Sequence, residues 1–382
     1  MKLATVALTV GLASGAGGFV QAPPARPAQE VDTLVSPEVH ADRRVTFRLR
    51  APKAAEVTLR GDWMPGQARE KLVKDEQGVW SVTVGPLQPD TYSYSLSLDG
   101  VAILDPRNPR VKLGVRSSTT SVLEVPGAPP LPHEVRDVPH GAVQVNWYKS
   151  STLGAVRRFY VYTPPGYEKK KSARYPVLYL LHGAGDTEGE WTWFGCANLI
   201  LDNLLAEGKA KPMLVVMPLG HAAPAGDMRP AVRGQNTKLF EDDLLKDVMP
   251  AVASKYRLAA GPKNRAIAGL SMGGAQALSV GLGHLDLFGA IGVFSAGSGD
   301  DFETRYQALL AAPEASNRKL SLFWIGCGDQ DFLLQGAKRL DESLTKHNIK
   351  HVFRLTEGAH TWLVWRRYLA EFVPLLFQSG KR

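Results

Sequence analysis

Ala266-Ile267-Ala268-Gly269-Leu270-Ser271-Met272-Gly273-Gly274 is the stretch on which the reading of this chain turns. It opens as a short apolar run, the signature of a strand buried on both faces, and leads into a Gly-x-Ser-x-Gly turn. Ala275-Gln276-Ala277-Leu278-Ser279-Val280 then continues as a helix. A serine on such a strand-to-helix turn has its hydroxyl exposed over the strand ends, where a nucleophile is needed. Gly269 and Gly273 are expected to serve the turn twice, through backbone angles and through close packing of neighbouring chain. The pattern is short enough to recur by chance, so it needs an acid, a histidine and an oxyanion-stabilising loop beside it.

All three follow in a consistent order. Asp331 lies past the apolar run of residues 320–325, in Gly328-Asp329-Gln330-Asp331, and His360 lies past Val352-Phe353-Arg354-Leu355, in Glu357-Gly358-Ala359-His360. Catalytic groups of open parallel sheets gather at the carboxyl ends of the strands. The chain order Ser, Asp, His is that of the α/β-hydrolase fold. Ser271 is then the expected nucleophile, His360 the base, and Asp331 the acid that fixes the imidazole tautomer. Asp329 is the rival acid; Asp331 is preferred because it sits further out on the loop. Leu180-Leu181-His182-Gly183-Ala184-Gly185 ends an earlier strand in a Gly-rich loop. Its Ala184 amide, with Gly185 next in line, and the amide of Met272 are the expected oxyanion donors. His182 is expected to be structural, because the hole needs backbone donors.

Outward from this stretch, continuous apolar runs alternate with helical patterns: Val177-Leu178-Tyr179-Leu180-Leu181, Met213-Leu214-Val215-Val216-Met217 and Ile291-Gly292-Val293-Phe294. This predicts an α/β domain with a mostly parallel sheet over residues 139–382. Leu244, Leu245, Val248, Met249, Val252 and Tyr256 recur at helical spacing, with a kink expected at Pro250. Upstream, Val45-Thr46-Phe47-Arg48-Leu49, Val57-Thr58-Leu59, Trp80-Ser81-Val82-Thr83-Val84 and Tyr92-Ser93-Tyr94-Ser95-Leu96-Ser97-Leu98 alternate as half-buried strands do, and Asp99-Gly100 signals a hairpin. They predict a small all-β sandwich over residues 31–126. Its aromatics Trp63, Trp80, Tyr92 and Tyr94 are read mainly as core, with Trp63, beside a turn, the one to consider for stacking on a sugar. Pro-rich linkers are expected at residues 23–30 and 127–138. Residues 1–22 read as an export signal, with Lys2 before an apolar run at residues 3–10 that is too short to span a bilayer, so a secreted or periplasmic location is expected.

A net charge of +8 invites a polyanionic partner, but the basic residues are scattered and no recognition motif accompanies them, so nucleic acid is not expected. The nine histidines show no metal-ligand spacing, and a serine mechanism needs neither metal nor cofactor. Cys196 and Cys327 are open to reading as buried thiols or as one bridge.

Several stretches resemble the family 1 carbohydrate esterases: Tyr160-Val161-Tyr162-Thr163-Pro164-Pro165-Gly166-Tyr167, Tyr175-Pro176-Val177-Leu178-Tyr179-Leu180-Leu181-His182-Gly183, Gly269-Leu270-Ser271-Met272-Gly273-Gly274 and Gly358-Ala359-His360. That family includes feruloyl and acetylxylan esterases, with enterochelin esterases and mycolyltransferases as relatives. Upstream, Val45-Thr46-Phe47-Arg48-Leu49-Arg50-Ala51-Pro52 and the run from Tyr92 to Pro109 resemble the immunoglobulin-like N-terminal domains of certain secreted esterases, related to family 48 carbohydrate-binding modules. The resemblance implies a secreted serine esterase acting on feruloyl or acetyl esters of plant polysaccharide such as xylan. A siderophore esterase of the enterochelin type and an acyltransferase are the alternatives. The implied partner is an acylated polysaccharide or oligosaccharide. By the same resemblance, Trp191-Thr192-Trp193-Phe194 and residues 221–236 line the acyl pocket. The expected substrate contacts are Trp191, Trp193 and His221 in these stretches, Gly183 and Gly185 in the Gly-rich loop, and Trp362, which stands two residues after His360 to cover the triad or to anchor the last helix, with Arg229 and Arg233 available to an anionic group.

Overall fold

A strand covered on both faces needs an apolar side chain at every position, and Val177–Leu181 meets this with five buried residues in a row. Val177, Tyr179 and Leu181 enter one core and Leu178 and Leu180 the other, on opposite faces of the sheet. Each such aliphatic side chain contributes about 1.5–3 kcal/mol when removed from water. The computed structural model describes residues 33–114, 119–223 and 230–378, without the side chains of residues 230–233. The expected export signal and first linker lie outside the described residues, as do Arg229 and the side chain of Arg233.

Eight strands form the large sheet, in the spatial order Ala142–Ser150, Ala155–Thr163, Leu214–Pro218, Val177–Leu181, Arg265–Leu270, Ala290–Phe294, Leu322–Gly328 and Val352–Thr356. The first two are antiparallel to their neighbours and the remaining six run parallel, so this is an α/β-hydrolase sheet. Ser271, the loop after Leu181, Asp331 and His360 all fall just past carboxyl ends of parallel strands. Arg265–Leu270, which carries the serine turn, lies between Val177–Leu181 and Ala290–Phe294, within the sheet.

The helix expected around Pro250 is not simply kinked. Pro230–Asp243 runs into one wide π turn, Leu244–Val248, and then Met249–Lys255. Proline brings no N–H and its ring crowds the preceding turn, and the wide turn absorbs that conflict one turn early, without a sharp break.

Upstream lie two all-β sheets. Glu38–Val39, Val45–Arg50, Val79–Val84 and Val73–Lys74 form one. Glu70–Lys71, Val57–Gly61, Asp90–Leu98, Thr120–Val125 and Val111–Lys112 form the other, with Val101–Ile103 paired to Asp90–Leu98. Their inward residues share one core, where the rings of Phe47 and Tyr94 meet at 4.8 Å. The expected hairpin is present: Asp99 and Gly100 both have positive φ, 48° and 86°, as a two-residue turn between twisted strands demands. Trp63 lies against Phe47 and Tyr92, so its ring supports this core and is not laid out as a sugar platform.

Val35–Arg382 form one compact unit, and residues 127–138 within it are no loose tether. The Glu134 carboxylate accepts from the amides of Gly127 and Leu131, and Asn203 donates to the carbonyls of Pro132 and Glu134. Arg366, 1% exposed in the last helix Trp362–Phe372, ties the β-layers to the large sheet. It donates to the Phe194 carbonyl at 3.0 Å, to Asp90 at 2.8 Å and to the Thr91 carbonyl. Cys196 and Cys327 are both buried free thiols.

Candidate active site

The serine turn holds its strain at the serine. Ser271 has φ 51°, while neither flanking glycine has positive φ, which corrects half of the expectation for Gly269 and Gly273. Their role is the close approach. A Cβ on Gly269 would come within 2.6 Å of the Gly273 backbone, and one on Gly273 within 2.5 Å of the His182 carbonyl oxygen. A side chain at Gly273 would push the loop after Leu181 away from the serine, and one at Gly269 would push the helix start off the strand.

Ser271 Oγ lies 2.9 Å from His360 Nε2, and His360 Nδ1 lies 2.9 and 3.0 Å from the two oxygens of Asp331. A carboxylate can only accept, so Nδ1 carries the hydrogen and Nε2 is left to receive the serine hydroxyl proton. Burial works to raise the Asp331 pKa, but hydrogen bonds from His360, the Leu333 amide and Ser295 outweigh it, and the net shift is downward. Asp331 therefore remains an anion facing the imidazole. Asp329 is exposed and accepts from the Gly358 amide at 3.0 Å, so it holds the histidine loop and not the histidine.

Met272 opens the helix Met272–Gly283, so its amide has no partner inside that helix. Ala184 and Gly185 occupy the middle of a turn that the Asp186 amide closes on the Gly183 carbonyl at 3.2 Å. Gly183, Ala184 and Gly185 line the same cleft as Ser271 and His360. His182 is buried beneath it. Its Nε2 accepts from the Gly220 amide at 2.8 Å, which leaves the Nδ1 hydrogen for the Gly183 carbonyl, also at 2.8 Å. Burial lowers its pKa, so a neutral imidazole pins the oxyanion loop to the loop after Pro218, the structural part expected of it.

The expected acyl-pocket residues separate. Trp191 is 1% exposed, donates to the Leu181 carbonyl at 3.0 Å and packs edge-on to Trp362, so it is core. Trp193 is 62% exposed and does not line the cleft. They sit two positions apart on the single turn Glu190–Trp193, where such neighbours point in different directions. His221 is also absent from the lining: its carbonyl accepts from Arg157 and its ring leans on His182. Phe194 and Trp362 do line the cleft, whose volume is about 420 Å³, together with Leu270 and Trp365.

Sequence reasoning missed two groups. Phe332 stands 4.4 Å from the His360 ring yet is 75% exposed, a free-standing wall over the imidazole. Its place directly after Asp331 was the available signal. The second group comes from the β-layers: Asp62, Ser93 and Lys112 line the cleft beside Ser271. Lys112 Nζ lies 2.9 Å from Asp186 in the oxyanion loop and 3.9 Å from Glu190. Burial pushes Glu190 up to about 7 despite that lysine. No motif announces these residues, because strand pairing far along the chain brings them in.

A family model described as "Putative esterase" matches residues 150–376. An endo-1,4-beta-xylanase/feruloyl esterase of Xylanibacter ruminicola is 34% identical over 367 residues, covering 94% of this chain and 48% of that protein. A family 1 ferulic acid esterase from the anaerobic fungus Anaeromyces mucronatus, solved with ferulic acid, aligns with a TM-score of 0.56 at 27% identity, over 64% of this chain and 93% of its own. The enterobactin esterase of Shigella flexneri aligns with a TM-score of 0.63 at 20% identity, over 87% of this chain and 92% of its own, a likeness of fold. The chain spans about half the length of the curated relatives it matches. The fold and family place it in the class of carboxylic-ester hydrolases. Within that class, the chain belongs to this esterase family, beside the family 1 feruloyl esterases.

Proposed function

We propose that this protein hydrolyses feruloyl or related aromatic acyl esters of plant polysaccharide through Ser271, His360 and Asp331. The observation that carries the reading is the Ser271–His360–Asp331 relay standing in a cleft with one aromatic wall. Ser271 Oγ attacks the acyl carbon while His360 Nε2 takes its proton, and Asp331 stabilises the imidazolium that forms. The amides of Met272 and Ala184 receive the charge developing on the carbonyl oxygen. His360 returns the proton to the leaving alcohol, and water repeats the sequence on the acyl-enzyme. Phe194, Phe332, Trp362 and Trp365 offer the apolar surface that a phenolic acyl group needs. The feruloyl esterase activity of the Xylanibacter ruminicola relative points the same way.

Export fits a polymeric substrate outside the cytoplasm, and Lys2 with the apolar residues 3–10 supports it. N-terminal sequencing of the protein recovered from periplasm or medium would read a start after Ala16 or Ala22, and an intact Met1 would refute export.

A second reading, hydrolysis of a catecholate siderophore ester, draws support from the enterobactin esterase, whose match extends over the β-layers as well. Turnover of methyl ferulate, an aryl acetate and a catecholate siderophore ester, with Ser271→Ala as blank, separates the readings. Preference for ferulate supports the first and preference for the siderophore the second. Loss of the acyl group to an added alcohol instead of water would identify an acyltransferase.

A further inference from the structure

The cleft over Ser271 has two walls of opposite chemistry. One is aromatic and comes from the large sheet: Phe194, Phe332, Trp362 and Trp365. The other is polar and comes largely from the β-layers, where Asp62 and Ser93 face it. Asp62 directly follows the strand Val57–Gly61, and Ser93 lies on the neighbouring strand Asp90–Leu98. Ser93 donates to the Asp62 carboxylate twice, from its amide at 2.7 Å and from its hydroxyl at 2.9 Å. The Asp62 amide donates in return to the Ser93 carbonyl at 3.0 Å.

This clamp fixes the carboxylate before any ligand arrives. An ionised carboxylate has about four acceptor directions, and Ser93 takes two of them. Asp62 is an exposed residue, so the rest of its acceptor capacity is within reach of a ligand in the cleft. Lys112, the cation of this wall, is already committed to Asp186. The wall therefore offers an ordered acceptor, which is what hydroxyl donors seek.

We propose that Asp62, held by Ser93, is the subsite for the alcohol half of the ester, and that it selects a polyhydroxylated, sugar-like alcohol by accepting its hydroxyl hydrogens. The inference rests on the ester-hydrolase reading of Ser271 and sharpens it: the acyl group lies against the aromatic wall and the sugar against the β-layers. Selectivity arises because a methyl ester has no hydroxyl to give, whereas a furanosyl or pyranosyl ester does.

The test uses the full chain and two pairs of esters, each sharing one acyl group. The first pair is methyl ferulate and feruloyl-arabinofuranose, and the second is phenyl acetate and acetylated xylobiose. The readout is the ratio of kcat/KM for the sugar ester to that for the simple ester, with KM and kcat resolved. Asp62→Ala is expected to cut this ratio about ten- to a hundredfold, through KM on the sugar ester, as loss of a charged hydrogen-bond acceptor does. Asp62→Asn, which keeps one carbonyl oxygen, should retain part of it, and thermal melting of each variant checks the fold. An unchanged ratio overturns the proposal. An equal loss on both members of a pair also overturns it, because Asp62 would then serve the acyl group or the fold. If the wild type turns over neither pair in a Ser271-dependent way, the ester-hydrolase reading itself fails, and that outcome is distinct from both.

Discussion

The two walls of the cleft hold their side chains by different means. On the large-sheet side, position is set by backbone. Ser271 is fixed by a strand end and a helix start, and its glycine neighbours keep the chain around it close. On the β-layer side, position is set by side chains: Ser93 clamps Asp62, Lys112 reaches Asp186, and Arg366 reaches Asp90. Backbone placement is shared by many residues and tolerates change around it, whereas an ion pair fails when either partner is removed. Substitutions on the first wall should therefore cost chemistry with little loss of stability. On the second they should cost stability or positioning, with chemistry falling less.

The largest effect is expected at Ser271. Ser271→Ala should lower kcat on methyl ferulate by about 10⁴- to 10⁶-fold with an unchanged melting midpoint, measured side by side with the wild type. Asp331→Asn should cost about 10³- to 10⁴-fold by leaving the imidazole in the wrong tautomer, while Asp329→Asn should cost less than about tenfold. Reversal of those two would move the acid to Asp329. Where the β-layers meet the large sheet, Arg366→Met should destabilise by about 3–5 kcal/mol in denaturant titration, because it leaves the buried Asp90 with only the more distant Arg367 guanidinium, at 3.5 Å. A loss below about 1 kcal/mol would mean that this tie is dispensable.

Two subtler measurements probe, in turn, the surroundings of Asp90 and the polar wall of the cleft. Burial, reinforced by Arg366 and Arg367 and opposed by Asp90, lowers the His133 pKa to about 4. Unfolding returns it to about 6.5, so the unfolded chain binds the extra proton first. Stability is then complete above about pH 6.5 and is lost as pH falls toward 4, by about 3 kcal/mol. His133→Asn should flatten that part of the stability curve, and an unaltered slope would clear His133 of the effect. Finally, Lys112→Met should lower kcat by about tenfold with KM nearly constant, by loosening the oxyanion loop at Asp186, and Lys112→Arg should restore most of it.

Much of the first wall was legible because it follows from local grammar. A strand, a turn and a helix in sequence place Ser271, and two further strand ends place Asp331 and His360, so chain order alone assembled the relay. Asp331 and Asp329 are two residues apart on one loop, and only the hydrogen bonds to His360 and Gly358 assign them different parts. Trp191 and Trp193 misled because composition marks a stretch as aromatic without saying which way a single helical turn faces. The second wall was not legible for a different reason. Ser93 and Lys112 lie on two separate strands and Asp62 just past a third, and nothing near Asp62 in sequence indicates that Ser271 will be its neighbour in the cleft.

The Arg366 tie has a consequence for how this chain can be inherited or engineered. A fragment beginning at Pro139 would contain every residue of the relay and read as a complete enzyme. It would also carry a buried guanidinium stripped of Asp90 and the Thr91 carbonyl, and a Leu363 deprived of the β-layer core it packs against. The proline-rich seam at residues 127–138 is thus a boundary in composition but a poor place to cut. Recombination that swaps the front half for an unrelated binding module would have to replace residue 366 in the same step.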